Sequence, residues 1–167
     1  MMSQESSRRR SPKVRSSLLS NKTLYQEVHT CLFYYGDEIH IGLHQSSNVS
    51  SSIIHSGVRT WCGDVMDLPN FLGPADAFFF NGVFGNLHSP RDALLKAALL
   101  MRPGGSVVVS HPMGRAWHSR LHAEDPAHVP HPLPQSREAF DQIIHDLPLR
   151  LVDFVDEPDC YLAHLQV

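Results

Sequence analysis

The rhythm of apolar and polar residues changes along this chain, and the changes mark its elements. Up to residue 22 there is almost no apolar pattern. Beyond it, Leu24-Tyr25, Val28 and Cys31–Tyr35 are strand-prone, and Ile39, Ile41 and Leu43 alternate with polar neighbours, the period of a half-buried strand. Tyr35-Gly36-Asp37-Glu38 stands between the two runs and predicts a hairpin turn. Gln45–Ser56 follows, Ser-rich and linker-like in composition. From Val58 the signals sharpen. Val58–Cys62 reads as a short strand ending at Gly63-Asp64. Ala75–Phe80 is a continuous apolar run between Gly73-Pro74 and Asn81-Gly82, the pattern of a strand covered on both faces.

Ser89-Pro90-Arg91-Asp92 predicts a helix start, with serine as N-cap, proline at the first helical position and an acid in the first turn. Leu94, Leu95, Ala98, Leu99 and Met101 supply its apolar side. Pro103-Gly104-Gly105 stops it, since proline disfavours helical geometry before it and glycine accepts positive φ. Ser106–Ser110 is a second buried strand, and Ser136 caps a helix carrying Phe140, Ile143, Ile144 and Leu147. Leu149–Val155 and Cys160–Val167 flank the turn Asp156-Glu157-Pro158-Asp159. The succession predicts an α/β fold whose sheet is mostly parallel and ends in an antiparallel C-terminal hairpin. Residues 58–167 form its domain, 23–57 an atypical segment with a hairpin and a Ser-rich linker, and 1–22 a disordered Ser/Arg-rich tail.

Composition narrows the classes. The chain has 167 residues, 42% hydrophobic and 19% charged, which suits one globular domain. No apolar run reaches the length of a membrane span, so no membrane partner is expected. Three distant cysteines, Cys31, Cys62 and Cys160, suit a reducing compartment better than a disulfide framework. Residues 1–22 carry six Lys/Arg against one Glu, and the remainder eight against sixteen Asp/Glu. So acidic a body argues against a nucleic-acid surface. Cytoplasmic location is the expectation. The alternative is a plastid or mitochondrion, because the tail has the Arg/Ser-rich, acid-poor make-up of a transit peptide.

In an open parallel sheet, ligands bind beyond the carboxyl ends of the strands. Here those ends carry Gly63-Asp64-Val65, Asn81-Gly82-Val83 and Ser110-His111-Pro112. A carboxylate such as that of Asp64 can accept from an exocyclic amine, or simply cap a turn. Asn81-Gly82 lets a ligand approach the backbone, or makes a tight turn. The loop Pro112–Gln135 holds five prolines and four histidines. His118 and His122 stand four apart on a short helical stretch, with His128, His131, Glu124 and Asp125 near, which admits a metal reading beside that of a solvated, proline-stiffened lid.

These pieces in this order resemble the middle and end of a class I S-adenosylmethionine-dependent methyltransferase of the type 11 sort. The features that carry the likeness are Gly63-Asp64, Asp67-Leu68-Pro69, the Ala-Asp-apolar strand from Ala75, and Met101-Arg102-Pro103-Gly104-Gly105 before the next strand. It covers Val58–Val167 and implies an incomplete Rossmann-like sheet of strand order 3-2-1-4-5-7-6. It further implies S-adenosylmethionine as cofactor, with Asp64 facing the adenine, Val65 beside it, and Asn81 and Gly82 near the sulfonium. His88 and His111 become substrate-side candidates for a small-molecule methyl acceptor.

The family's start is missing. Upstream of Val58 the only glycines are Gly36, Gly42 and Gly57, and no two are spaced as the glycine-rich cofactor turn requires. Without the first two strands the sheet has two bare edges, which favours self-association. The hairpin fills the gap, or the strand at 58–62 pairs directly with that at 75–80, or the region lacks order. A shortened or alternatively spliced form with impaired activity is the expected reading. A catalytically inactive methyltransferase-like partner or isoform is the alternative, and a metal-dependent hydrolase using the His-rich loop is third.

Overall fold

The fold is that of a computed structural model, which describes residues 29–35, 38–44, 59–62, 64–70 and 73–167. The tail at 1–22, the runs before residue 29, the turn at 36–37, the Ser-rich stretch at 45–56 and Gly63 lie outside the described residues. In chain order the elements are β1 (His29–Tyr35), β2 (Glu38–His44), β3 (Arg59–Cys62), β4 (Ala75–Asn81), α1 (Pro90–Leu100), β5 (Met101–His111), α2 (Gly114–Glu124), α3 (Arg137–Ile144), β6 (Arg150–Glu157) and β7 (Cys160–Gln166). Short 3-10 turns follow β3 at Val65–Asp67 and β4 at Phe84–Asn86.

The seven strands form one sheet in the order β3-β1-β2-β4-β5-β7-β6. β1 and β2 pair antiparallel, His29 opposite His44 and Tyr35 opposite Glu38. β1 also pairs antiparallel with β3, and β2 pairs parallel with β4, from His40–Ala77 to Leu43–Phe80. The hairpin therefore occupies the two sheet positions that a class I methyltransferase gives to its first and second strands. Parallel neighbours need a crossover of a dozen or more residues, whereas a hairpin needs only a tight turn. Sixteen residues (29–44) thus fill both positions, at the cost of inverting one strand. Two antiparallel pairings in succession restore direction, so β3 runs the same way as β2, β4 and β5.

The sheet is mixed. Five strands point one way and β1 and β7 the other. By neighbouring pairs, however, only β2–β4 and β4–β5 are parallel. The mostly parallel expectation thus holds for strand direction and not for the ladders, because two strands of opposite sense, one inside the hairpin and one at the end, each make two antiparallel pairings.

The core lies on one face of β4, β5 and β7. Phe78, Phe80, Val107, Val109, Tyr161, Ala163 and Leu165 are all buried there, alternating as the pleat requires. α1 and α3 cover them. α1 starts as predicted, with Ser89 capping and Pro90 at its first position. Its buried stripe, however, is Ala93, Leu94, Ala97, Ala98 and Leu100, while Leu99 is 71% exposed. Both leucine sets satisfy a helical period, and packing against the sheet selects between them. Arg91 ties the start of α1 to the end of α3 by donating to the carbonyls of Ile143 (2.7 Å) and His145 (2.6 Å). An aromatic file, Phe78–Phe80–Phe84–Phe140, runs through the core with centroids 5.0, 6.1 and 5.8 Å apart, spacings at which ring quadrupoles attract. Among the described residues, no helix is long and apolar enough to cross a membrane.

Phe140 is fully buried at the end of that file. Phe140→Ala should lower stability by about 3–5 kcal/mol, read as a shift of the urea midpoint at unchanged slope.

Candidate functional site

At the carboxyl ends of β4 and β5 the chain leaves the sheet twice. Gly82 takes φ +68° after Asn81, a conformation in which a β-carbon is strained. Its N–H donates to the carbonyl of Ser110 (2.8 Å), and the Ser110 hydroxyl donates to Asn81 Oδ1 (3.3 Å). β5 ends at His111, and the chain turns into α2 through Gly114, at φ +69°. A β-carbon on Gly114 would run into the carbonyls of Glu157 and Pro158. This close approach and the Arg115–Asp156 ion pair (Nε–Oδ2, 2.6 Å) pin α2 over the β6–β7 turn.

Between α2 and the two strand ends lies a cavity of about 510 Å³. Asn81, Gly82 and Asn86 line its sheet side, and His111, Pro112 and Met113 its floor. Trp117, His118 and Leu121 of α2 form one wall, and Asp125, His128 and Val129 close the rim. The rim is tied down: Asn86 donates to the carbonyl of His128 (2.7 Å), His131 N–H to that of Gly85 (3.1 Å), and the His122 ring Nδ1 to that of Val129 (2.6 Å). Asp125 accepts from the backbone and the ring of His128.

The polar centre of the cavity is a histidine pair. The His111 ring sits 5.3 Å from Trp117, tilted by 38°, and 5.3 Å from His118, edge-on at 82°. Met113 N–H donates to His111 Nδ1 (3.3 Å), which places the proton of the neutral ring on Nε2. His118 is 2% exposed, and neither of its ring nitrogens has a hydrogen-bond partner. Burial, with the nearby His111 and His122 rings, holds its pKa down to about 4, and burial also lowers that of His111. Both rings are therefore neutral at pH 7. The His118 ring lies directly on Gly85, where a β-carbon would overlap it. Below them the Tyr161 hydroxyl, opposite His111 on β7, is buried without a partner.

Of the six candidates from the sequence, the cavity brings together Asn81, Gly82 and His111. The other three lie outside its lining. Asp64 is exposed and caps the 3-10 turn after β3, accepting from Met66 N–H (2.8 Å). Val65 is 4% exposed and belongs to the core, where its turn packs on α1. β3 stands three strand positions from β4, about 14 Å at normal strand spacing. His88 is exposed on the loop before α1, and its carbonyl accepts from the His131 ring (3.2 Å). The residues missed as site members are Trp117, His118 and Leu121. Their signal was the spacing Met113, Trp117, Leu121, every fourth residue, with His118 beside it. The sequence showed a short helical stretch there, and the proline-rich surroundings concealed its length and its packed face. α2 is a regular helix with a buried histidine, not part of a solvated lid. Among the described residues no three His, Cys, Asp or Glu side chains gather to hold a metal ion.

S-adenosylmethionine fits the residues present at one end only. Asn81 and Gly82 leave room at the cavity's sheet side, but Asp64 lies outside the lining, its Oδ1 accepting from Met66 N–H in its own turn. The strand in the second sheet position is inverted, so its carboxyl end points away from the cavity. No acid can then follow that strand toward the cofactor's ribose.

The observed order, β3-β1-β2-β4-β5-β7-β6, departs from the expected 3-2-1-4-5-7-6 by the exchange of the first two strands and agrees with it in the last four. No family model matches the chain, and no curated protein matches it. Solved structures that match include an O-methyltransferase family protein from Burkholderia thailandensis, at 17% identity over 56% of this chain and 30% of that one, with a TM-score of 0.44. Another is the pyocyanin biosynthetic protein PhzM, at 16% identity over 61% of this chain and 32% of that one, with a TM-score of 0.41. The chain spans about a third of the length of either.

Because the folded His118 pKa, about 4, lies below its usual 6.5, the unfolded chain binds more protons between these values. The His118 contribution is thus fully present above pH 6.5 and is lost as pH falls toward 4, by up to about 1.4 kcal/mol per pH unit. Urea midpoints measured from pH 7.5 to 4 should show this slope, and His118→Leu should flatten it.

Proposed function

We propose that this chain is a methyltransferase-fold protein of the S-adenosylmethionine-dependent, small-molecule class. It retains the acceptor end of the site, and its cofactor-holding start is replaced by the hairpin segment ahead of β3, which impairs activity. The observation that carries this reading is the cavity at the carboxyl ends of β4 and β5, lined by Asn81, Gly82 and His111, on a sheet whose second position is inverted. Such a site can position a small acceptor, and positioning is most of what transfer to a good nucleophile needs. It offers little to a nucleoside.

The second reading is a catalytically inactive relative that keeps the fold as a binding or partner chain. The placement of Asp64 outside the cavity lining, capping its own turn, favours it. Calorimetry with S-adenosylhomocysteine separates the two. Impaired but real binding gives a Kd above about 100 µM. Low-micromolar binding would contradict the impairment, and no heat at millimolar ligand would leave the inactive relative standing.

A further inference from the structure

An edge strand turns a row of backbone N–H and C=O groups outward, where any extended segment can pair with them. β6 is such a strand: it stands last in the sheet and, among the described residues, pairs only with β7. The hairpin closes through the two-residue turn Pro158-Asp159, so Glu157 and Cys160 form its closing bonded pair. By alternation, Phe154 and Asp156 then aim their N–H and C=O groups away from β7.

The first half of this edge is already occupied by side chains. The ladder slips between Leu151 and Asp153, and the extra residue, Val152, is 39% exposed. At that bulge Arg137 donates to two consecutive carbonyls, those of Leu151 (Nη1, 3.2 Å) and Val152 (Nη2, 3.4 Å). Phe154 N–H donates to the Asp153 carboxylate (Oδ1, 2.8 Å). Arg137 is the first residue of α3, whose start is fixed by the Ser136 hydroxyl accepting from Ala139 N–H (3.2 Å). The guanidinium therefore reaches the edge from a packed helix. Its planar fork suits two neighbouring acceptors, which the compact ammonium of a lysine would not bridge in the same way.

The strand is also complementary to itself. Two copies of β6, set antiparallel about a two-fold axis between Asp153 and Phe154, would place Arg150 opposite the second copy's Glu157 and Val152 opposite its Val155. Each end of the pairing gains opposite charges and the middle gains apolar contacts, the cross-strand pairs that stabilise a ladder. We infer that β6 is a pairing edge for a second copy of this chain, held closed by the side chains of Arg137 and Asp153. The inference goes beyond the methyltransferase reading and does not depend on it.

Sedimentation velocity on the full chain, from about 5 to 200 µM, compares the wild type with Arg137→Gln. The variant should dimerise about tenfold or more tightly than the wild type, and hydrogen exchange at the Phe154 and Asp156 amides should slow as its dimer forms. Adding Arg150→Glu should abolish the gain by setting acid against acid, and Glu157→Arg as a third change should restore it. Asp153→Ala, which leaves α3 untouched, should give a smaller gain of the same kind. An Arg137→Gln chain that keeps its circular dichroism and sediments as the wild type does would overturn the proposal. So would a dimer in which the Phe154 and Asp156 amides still exchange freely. Should Arg137→Gln fail to fold, Asp153→Ala decides, and wild-type sedimentation of that variant overturns the proposal equally.

Discussion

A central strand cannot leave one edge unpaired. Phe78 and Phe80 pack their rings into the core, and the backbone between them must give its N–H and C=O groups to neighbours on both sides. β5 serves one side and β2 the other, through the parallel ladder from His40–Ala77 to Leu43–Phe80. Everything else about the front of the sheet follows from how that second neighbour is supplied. A short segment can offer a strand in the right direction only if it brings a partner of the opposite sense, and β1 is that partner.

The inversion of β1 sets what the site can do. In a sheet of parallel strands every carboxyl end arrives at the same edge, and a nucleoside cofactor is held by the loops that leave it. Here the second position presents its amino end there instead, His29 lying between His44 and Cys62. The cavity does not depend on that position. β4, β5, α2 and the β6–β7 turn assemble the cavity without the hairpin's help. The cavity is thus built without any contribution from the inverted strand.

Much of this was legible in the sequence from Val58 onward, because each element there carries its own punctuation. Ser89 and Ser136 cap their helices, Asn81-Gly82 ends β4, and the C-terminal strands flank a four-residue turn. What remained hidden was non-local. Asp64 looks the same in sequence whether it faces a ligand or caps its own turn, and only the register of β3 and the bond to Met66 decide. A short helical stretch around His118 and His122 was legible, but the full length of α2 and its buried face were not, because its surroundings are rich in proline and its apolar residues are few. The burial of His118 depends on a glycine thirty-three positions away, a contact no local pattern announces. The hairpin's position was one of three alternatives, since strand pairing across the sheet is fixed by the whole ladder.

The insertion of β1 and β2 between β3 and β4 is the claim on which the account turns, and inter-strand nuclear Overhauser effects test it most directly. It predicts amide-to-α-proton contacts between Gly42 and the Phe78–Phe79 segment, and between Thr30 and Trp61. Contacts joining Arg59–Cys62 directly to Ala75–Phe80, with none from Gly42 to β4, would contradict it.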